Sequence, residues 1–378
     1  MSLRSVGSGR SGRVRRTATV LVLVLAAAAL GAAVYTVVGA SSGPLPAAGS
    51  APGSGAHHAT PSVPATTPAP APAAPTTTPT TSPSLAGVPL GIYAGPGAAA
   101  GAEAVDDALG GRISYAMDFL PQTSWTDLTD PTWLATSWAG SPFDLVLGVP
   151  MLPDQGATLA QGAQGAYDAE FTQLAQRLVA DGLGGADLLI GWQPDDAGTP
   201  WYVDSAAAAT WYVQYWDRIA AAMKAVPGAS FVFEWDPGDS GSSPVRPAAM
   251  YPGNAAVDVV GTDAFDTMSH TLPQTQQWAN VLDRTGGPTW AAAFASQHHR
   301  LLAVAMWGVV PAAAGGGGDT PAFVSGVLDW AAGQGVAMCV LWDYGSWAIS
   351  DGSFPSAYAS LVAAVGPGAN APSGGSAS

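Results

Sequence analysis

The chain has 378 residues, a formal net charge of −15, 14 tryptophans, five histidines and one cysteine. One cysteine excludes an internal disulfide and a cysteine-based zinc or iron-sulfur site, and so few histidines argue against a multi-histidine metal site. Residues 1–85 carry five arginines and no acid, whereas residues 86–378 carry seven basic residues and 27 acids, a formal charge of −20. A segment this acidic repels phosphate backbones, which argues against nucleic acid as a partner.

The first predicted element is an uncharged segment, residues 17–40, which directly follows the basic residues 1–16. It is long enough to cross roughly 30 Å of hydrocarbon as a helix. Because the positive charge precedes the segment, we expect the N-terminus inside and the rest outside. We interpret it as a signal-anchor that holds the chain at the membrane, with a secretory signal peptide cleaved near Ala40 as the alternative. Both interpretations predict a cell-surface or extracellular protein.

Two further segments have compositions that cannot bury a core. Residues 41–85 are rich in proline, threonine and alanine and carry no charge, which predicts a semi-stiff, disordered linker. Residues 369–378 form a C-terminal tail that we expect to be disordered. Residues 86–368 remain for a single folded domain, which we expect to be monomeric and to need no cofactor or metal.

Short β-like runs alternate with helical patterns along all of residues 86–368. Three of the helical patterns are Asp168–Ala180, Ala206–Val226 and Pro321–Ala332. Eight strands with helices between them predict an α/β fold, a (β/α)8 barrel. A doubly wound sheet has the same alternation, but no glycine-rich phosphate loop follows the first strand to favour it. The predicted strands are Val88–Tyr93, Ile113–Phe119, Phe143–Met151, Leu188–Trp192, Phe231–Trp235, Val257–Asp263, Leu301–Trp307 and Val336–Trp342.

In a barrel, functional side chains lie at and just after the C-terminal ends of the strands. Aromatic rings beside short acids are typical of a sugar cleft, because tryptophan faces pack on pyranose C–H groups and carboxylates accept hydrogen bonds from hydroxyls. Tryptophans away from the strand ends, such as Trp216 and Trp278, we interpret as core residues. The strand-end residues are Tyr93, Asp118, Trp192, Gln193, Asp195, Glu234, Trp235, Asp236, Asp263, Asp266, Met306, Trp307, Trp342 and Asp343.

The segment GWQPDDAGTPW, which begins at Gly191, resembles the end of the fourth strand in the family 26 glycoside hydrolases, the β-mannanases and related β-glycanases. Further similar segments follow in the same order at residues 225–238, 251–266, 302–308 and 340–355. The resemblance extends over most of residues 88–365. It implies a (β/α)8 barrel with a groove for a β-linked polysaccharide.

The chain departs from the family pattern at both catalytic positions. Gln193 stands where the family has its acid/base glutamate, and Met306 stands where it has its nucleophilic glutamate. Asp195 replaces a family asparagine. Glutamine has no proton to transfer and methionine cannot attack an anomeric carbon, so double displacement cannot run on these positions.

The favoured hypothesis is therefore a barrel that binds a β-linked glycan without cleaving it. One alternative is an active, mannanase-like endo-β-1,4-glycanase that uses the relocated carboxylates of Glu234, Asp195 or Asp263. The other is a structural or protein-binding envelope module, since a fold does not fix a function. The expected glycan-binding residues are Trp192, Trp201, Trp235, Trp307, Trp342, Tyr93, Asp118 and Asp343.

Overall fold

The computed structural model describes residues 87–366 of the chain. The segments predicted at residues 1–16, 17–40, 41–85 and 369–378 lie outside this range, so the signal-anchor and the linker stay predictions. Among the described residues, no helix is both long and apolar enough to cross a membrane.

Ten short parallel strands form one curved sheet at the centre of the described residues. They are β1 (Leu90–Tyr93), β2 (Ile113–Phe119), β3 (Asp144–Val149), β4 (Asp187–Ile190), β5 (Val232–Trp235), β6 (Val259–Val260), β7 (Asp263–Phe265), β8 (Leu301–Leu302), β9 (Val304–Gly308) and β10 (Cys339–Trp342). Across the sheet they follow the order β7-β9-β10-β1-β2-β3-β4-β5-β6-β8. All eight predicted strands therefore exist, two of them in two segments each.

Backbone hydrogen bonds join these segments and close the barrel. The Thr262 N–H donates to the Ala303 carbonyl (3.1 Å), and the Ala305 N–H donates to the Thr262 carbonyl (3.0 Å). The ladder between β6 and β8 therefore continues into the ladder between β7 and β9, past a one-residue bulge in the seventh strand. The ten segments thus count as eight strands, and the predicted (β/α)8 barrel is confirmed.

Helices surround the sheet, and local signals fix their ends. The helix predicted at Asp168–Ala180 is matched at both ends. The helix predicted at Ala206–Val226 begins after Ser205, whose side chain accepts a hydrogen bond from the Ala208 N–H, and it ends two residues earlier than predicted. The helix predicted at Pro321–Ala332 begins with Pro321 and ends before Gly335, which has a φ of 64°. The helices are α1 (Ala99–Leu109), α2 (Trp125–Thr129), α3 (Thr132–Trp138), α4 (Leu159–Ala163), α5 (Asp168–Ala180), α6 (Ala206–Lys224), α7 (Gln274–Leu282), α8 (Pro288–His298), α9 (Pro321–Gln334) and α10 (Pro355–Val365).

Large aromatic side chains fill the layer between the sheet and the helices. Trp216 of α6 contacts the ring of Phe233 on β5, with centroids 6.1 Å apart, and its Nε1–H donates to the Ile190 carbonyl (3.1 Å). Trp278 of α7 contacts the rings of Phe323 and Trp330 on α9. The interpretation of these tryptophans as core residues is therefore confirmed.

Gly148 on β3 allows an aromatic ring to lie against the inner wall of the barrel. A Cβ atom at this position would overlap the ring of Phe119, which reaches across from β2. The absence of a side chain at Gly148 therefore decides where Phe119 lies, at the end of the barrel that carries the candidate site.

We predict that Gly148→Ala lowers the free energy of unfolding by about 1–3 kcal/mol, because the added methyl group forces the Phe119 ring to move. Urea unfolding measures the change. Gly185→Ala is the matched control, since its Cβ would find Ser230 Oγ at an ordinary contact distance of 3.5 Å. Equal stability of the two variants would contradict the prediction.

Candidate functional site

A row of aromatic rings crosses the barrel at the C-terminal ends of the strands. Phe119 contacts Trp192 with ring centroids 5.0 Å apart and Tyr93 with centroids 5.2 Å apart. Tyr93 contacts Trp342 at 4.4 Å. Phe265 extends the row beyond Trp342 (6.2 Å). We call the following set the aromatic row: Trp192, Phe119, Tyr93, Trp342, Phe265, Trp347 and Tyr344.

The aromatic row is buried at its centre and open at its rim. Tyr93 is fully buried, and Trp192 and Trp342 are each 6% exposed. Phe119, Phe265 and Trp347 are partly exposed, and 40% of Tyr344 faces solvent. The rim therefore offers ring faces that a flat, weakly polar molecule can contact.

The sequence prediction placed Tyr93, Trp192 and Trp342 in this region and missed the rim. Phe119 follows Asp118 directly, and the alternation of side chains along β2 points one of the two inward and the other outward. Tyr344 and Trp347 lie just beyond β10, inside the segment of residues 340–355 that the resemblance covers. Their signal was therefore in the sequence, two and five residues past the end of β10.

Gln193 and Met306 both lie next to Asp263. The Gln193 Nε2 donates to Asp263 Oδ2 at 2.6 Å, from a backbone with a φ of 50°. Met306 on β9 stands opposite Asp263 on β7 in the strand register and is 1% exposed. The structure thus brings together the two positions at which the sequence resemblance implies a catalytic pair, and neither carries a carboxylate.

Asp263 lies close enough to Asp236, which follows β5, for each to influence the pKa of the other, and both side chains are buried. Burial raises the pKa of Asp236 to about 7, and Asp236 Oδ1 also accepts from the Gly238 N–H (3.0 Å). Burial and the charges of Asp236 and Asp239 raise the pKa of Asp263 well above its usual value. Burial and neighbouring negative charge both favour the protonated form of a carboxyl group, which accounts for the raised pKa of Asp263.

A buried ion pair lies beside these two carboxyl groups. The Arg284 Nη1 lies 3.1 Å from Asp239 Oδ2, and the side chains are 9% and 12% exposed. Arg284 also donates to the Thr267 carbonyl (2.6 Å), so it ties the loop after β5 to the loop after β7. The sequence prediction missed this pair because Arg284 follows α7 rather than a strand.

Glu234 points into the barrel beneath Asp236 and is sealed from solvent. It is fully buried, and neither carboxylate oxygen has a hydrogen-bond partner in the described part of the chain. Burial and the charges of Asp187 and Asp236 raise its pKa well above the usual value. A carboxyl group that is inaccessible from solvent cannot contact a polysaccharide, so Glu234 can neither protonate one nor attack it.

Asp195 is the second candidate for a relocated carboxylate, and its side chain binds the loop after β5. Asp195 Oδ2 accepts from Ser240 Oγ (2.8 Å) and from the Gly241 N–H (3.0 Å). Burial raises its pKa to about 6. Its role in the structure is to hold two neighbouring loops together.

Asp118 and Asp343 hold loops as well, which corrects the prediction that they contact glycan. Asp118 Oδ2 accepts from the Gly97 N–H and from Trp138 Nε1, both at 2.8 Å, on the outer face of β2. Asp343 Oδ1 accepts from the Ile349 N–H (2.7 Å) and the Ser350 N–H (3.0 Å). Both carboxylates are occupied by backbone donors of the chain itself.

Three predicted tryptophans do not line the cleft. Trp235 contacts Phe294 of α8 with centroids 5.8 Å apart, in the layer outside the barrel. Trp307 lines a small gap together with Leu109 of α1 and Leu361 of α10, in the same layer. Trp201 is fully buried, and its Nε1–H donates to the Trp192 carbonyl (2.7 Å). The prediction that these rings bind glycan is wrong, because Trp235 and Trp307 face helices and Trp201 supports Trp192.

Across residues 87–366, no three histidine, cysteine, aspartate or glutamate side chains are arranged to hold a metal ion.

No protein-family model and no curated protein matches the chain. Solved structures do match it. A modular family 26 endo-β-1,4-mannanase from Cellulomonas fimi aligns with a TM-score of 0.53 and 13% identity, over 70% of this chain and 67% of that one. The catalytic domain of a family 26 endo-β-1,4-mannanase from Bacillus sp. JAMB-750 aligns with a TM-score of 0.50 and 11% identity, over 72% of this chain and 85% of that one. The chain therefore has the fold of the family 26 glycoside hydrolases.

The buried carboxyl groups predict that the protein is more stable in mild acid than at neutral pH. Burial raises the pKa of Asp118 and Asp195 to about 6 and that of Asp187 and Asp236 to about 7. Aspartates of the unfolded chain have a pKa of about 3.9. Between this pKa and the higher pKa of the folded state, the folded protein binds more protons than the unfolded chain. The free energy of unfolding should therefore be greatest at about pH 4 and fall as the pH rises through 6 to 7.

Urea unfolding at a series of pH values measures this dependence. Asp236→Asn should flatten the decline, because its amide cannot lose a proton, whereas Asp154→Asn, at an exposed loop position, should keep the slope of the wild type. A stability that stays level or rises between about pH 4 and 7 would contradict the prediction.

Proposed function

We propose that this barrel binds a β-linked glycan along the rim of the aromatic row and does not hydrolyse it. The observation that carries the proposal is the combination at one end of the barrel: aromatic rings are present, whereas Gln193 and Met306 occupy the two catalytic positions that the resemblance implies. The site thus has the aromatic rings that bind a glycan and lacks the two carboxylates that would cleave it.

The rim supports the binding half of the proposal. Tyr344 is exposed and contacts Tyr93 with ring centroids 5.6 Å apart, and Trp347 contacts Phe265 with centroids 5.4 Å apart. Ring faces of this kind pack against the C–H surfaces of a pyranose. Because the two solved structures of similar fold are named endo-β-1,4-mannanases, we propose a β-1,4-linked mannan or a related β-glycan as the ligand.

The carboxyl groups support the non-hydrolytic half. Glycosidases need two carboxyls about 5–5.5 Å apart for retention or about 6.5–9.5 Å apart for inversion. Asp236 and Asp263 are 0% and 1% exposed, so a glycan on the rim does not reach either carboxyl group. Glu234 is sealed beneath them, and Asp195 is bound by the loop of Ser240. None of the alternative carboxylates is thus in a position to cleave a glycan.

A second candidate function is a protein-binding envelope module, and the centre of the aromatic row favours it. Tyr93, Trp192 and Trp342 pack on one another or on Phe119 and are almost fully buried, so the floor of the cleft is filled by the chain itself. A filled floor leaves only a shallow surface. A protein partner needs no deep groove, whereas a glycan would contact the rim alone.

We further propose that the domain is exported and held at the cell surface. The support is in the sequence: an uncharged segment at residues 17–40 after five arginines, followed by a proline-rich linker. Polysaccharides of cell walls are accessible from that location.

We predict that Tyr344→Ala weakens the binding of mannohexaose by about 1–3 kcal/mol, because the variant loses an exposed ring face from the rim. Isothermal titration calorimetry measures the affinity. Trp211→Ala, which removes an exposed ring from α6 on the outside of the barrel, should bind like the wild type. If neither manno- nor cello-oligosaccharides give heat with the wild type, the binding proposal fails and the protein-binding module is favoured.

We predict that the wild type releases no reducing ends from β-mannan, β-glucan or xylan, since position 193 has no acid and position 306 has no nucleophile. The Gln193→Glu, Met306→Glu double variant should gain measurable release, whereas Gln193→Glu alone should not, because it still lacks a nucleophile. Release by the wild type that persists in Asp263→Asn and Asp195→Asn would show that other groups catalyse the reaction.

A further inference from the structure

A second cavity, of about 520 Å³, lies at the opposite end of the barrel, where the strands begin. Its volume falls within the roughly 300–1,000 Å³ typical of small-molecule sites. Both acidic and apolar side chains line it, among them Tyr115, Asp144, Asp187, Phe143, Leu301 and Met338. The aromatic row lies at the other end, so this cavity is separate from the site described above.

The strand register directs the polar side chains into the cavity. Tyr115 on β2 stands opposite Asp144 on β3, and Val146 on β3 stands opposite Asp187 on β4. Since Asp144 and Val146 are two residues apart, they point to the same side of the sheet, and Asp187 points there with them. Tyr115 and two carboxylates therefore share the inner face at the mouth of the barrel.

One carboxylate oxygen of Asp187 is unsatisfied. Its Oδ1 atom is buried without a hydrogen-bond partner among residues 87–366, and the ion pairs of Arg177, Arg218 and Arg284 do not include Asp187. Burial and the charge of Asp258 raise its pKa to about 7. Burial, followed by the charges of Asp144 and Asp187, also raises the pKa of Tyr115, which agrees with all three groups facing one space. Such a carboxylate is stabilised by a cation that enters the cavity.

The rest of the lining is apolar and partly open. Leu301 is 60% exposed at the entrance, whereas Phe143 and Met338 are buried beside the cavity. An apolar wall next to a carboxylate suits a molecule with a hydrocarbon body and a charged end. A bare metal ion does not fit, because no three carboxylate, histidine or cysteine side chains in residues 87–366 are placed to ligate one.

We propose that this cavity binds a primary organic ammonium ion, with the ammonium group on Asp187 and the hydrocarbon body against Leu301, Phe143 and Met338. Asp144, at the exposed edge, adds attraction without direct burial. The chain's own residues 41–85, which precede β1, contain no lysine or arginine side chain that could occupy the cavity.

Titration of the full-length chain with hexylammonium chloride at about pH 8 tests the proposal, since Asp187 is then ionised. Calorimetry should show saturable binding, and 1-hexanol, a neutral molecule of the same shape, should bind at least about tenfold more weakly. Asp187→Asn should weaken the binding of hexylammonium about tenfold or more, because it loses a charge-assisted hydrogen bond. Asp144→Asn should weaken it by a smaller factor, and Asp154→Asn, in the loop at the other end of β3, should leave it unchanged.

Three outcomes would overturn the proposal. Absence of saturable hexylammonium binding is one, and equal binding of 1-hexanol is the second, since it would show an apolar cavity alone. The third is an affinity that changes equally in Asp187→Asn, Asp144→Asn and Asp154→Asn, which would show a general attraction to the acidic surface. Far-ultraviolet circular dichroism of each variant establishes that it is folded, and Asp144→Asn, at an exposed position, tests the site even where Asp187→Asn does not fold.

Discussion

Desolvation of carboxyl groups inside a closed barrel is the constraint on which both the stability and the chemistry of this protein depend. A carboxylate removed from water is costly unless it is paired, so a buried acid keeps its proton. Burial raises the pKa of Asp236, Asp263 and Glu234, so the fold favours the protonated form of each. The same burial supports the proposal that the site does not hydrolyse a glycan, because a carboxyl group without solvent access cannot reach a glycosidic bond.

The residues at the two family catalytic positions are consistent with this electrostatic arrangement. A glutamate at position 193 would place a third carboxyl against Asp263, whereas the amide of Gln193 donates a hydrogen bond to it. Met306, opposite Asp263 in the register, adds an apolar group where a second glutamate would add a fourth acid.

The sequence predicted the eight strands, their parallel order and the (β/α)8 barrel, because hydrophobic runs and helix caps are local signals. It was less accurate for the site, since a strand end by itself does not tell which way a side chain points. Met306 faces inward, so the next residue, Trp307, faces the helices, and the same alternation turns Trp235 outward once Glu234 faces inward. Arg284, which follows a helix, reaches the site only through the tertiary fold and had no signal in its local sequence.

Carboxyl groups from both ends of the barrel act on one buried side chain between them, that of Glu234. Asp187 lies at the start of β4, Glu234 lies one strand away, and Asp236 lies two residues farther along the chain, so the charge of Asp187 and that of Asp236 both act on Glu234. Because neither oxygen of Glu234 has a partner in the described residues, its neutrality is maintained by burial and by these two neighbours rather than by a hydrogen bond. Desolvation disfavours a charged carboxylate in the middle of the barrel. An ionised carboxylate costs less at either end, where water or a cation can reach it.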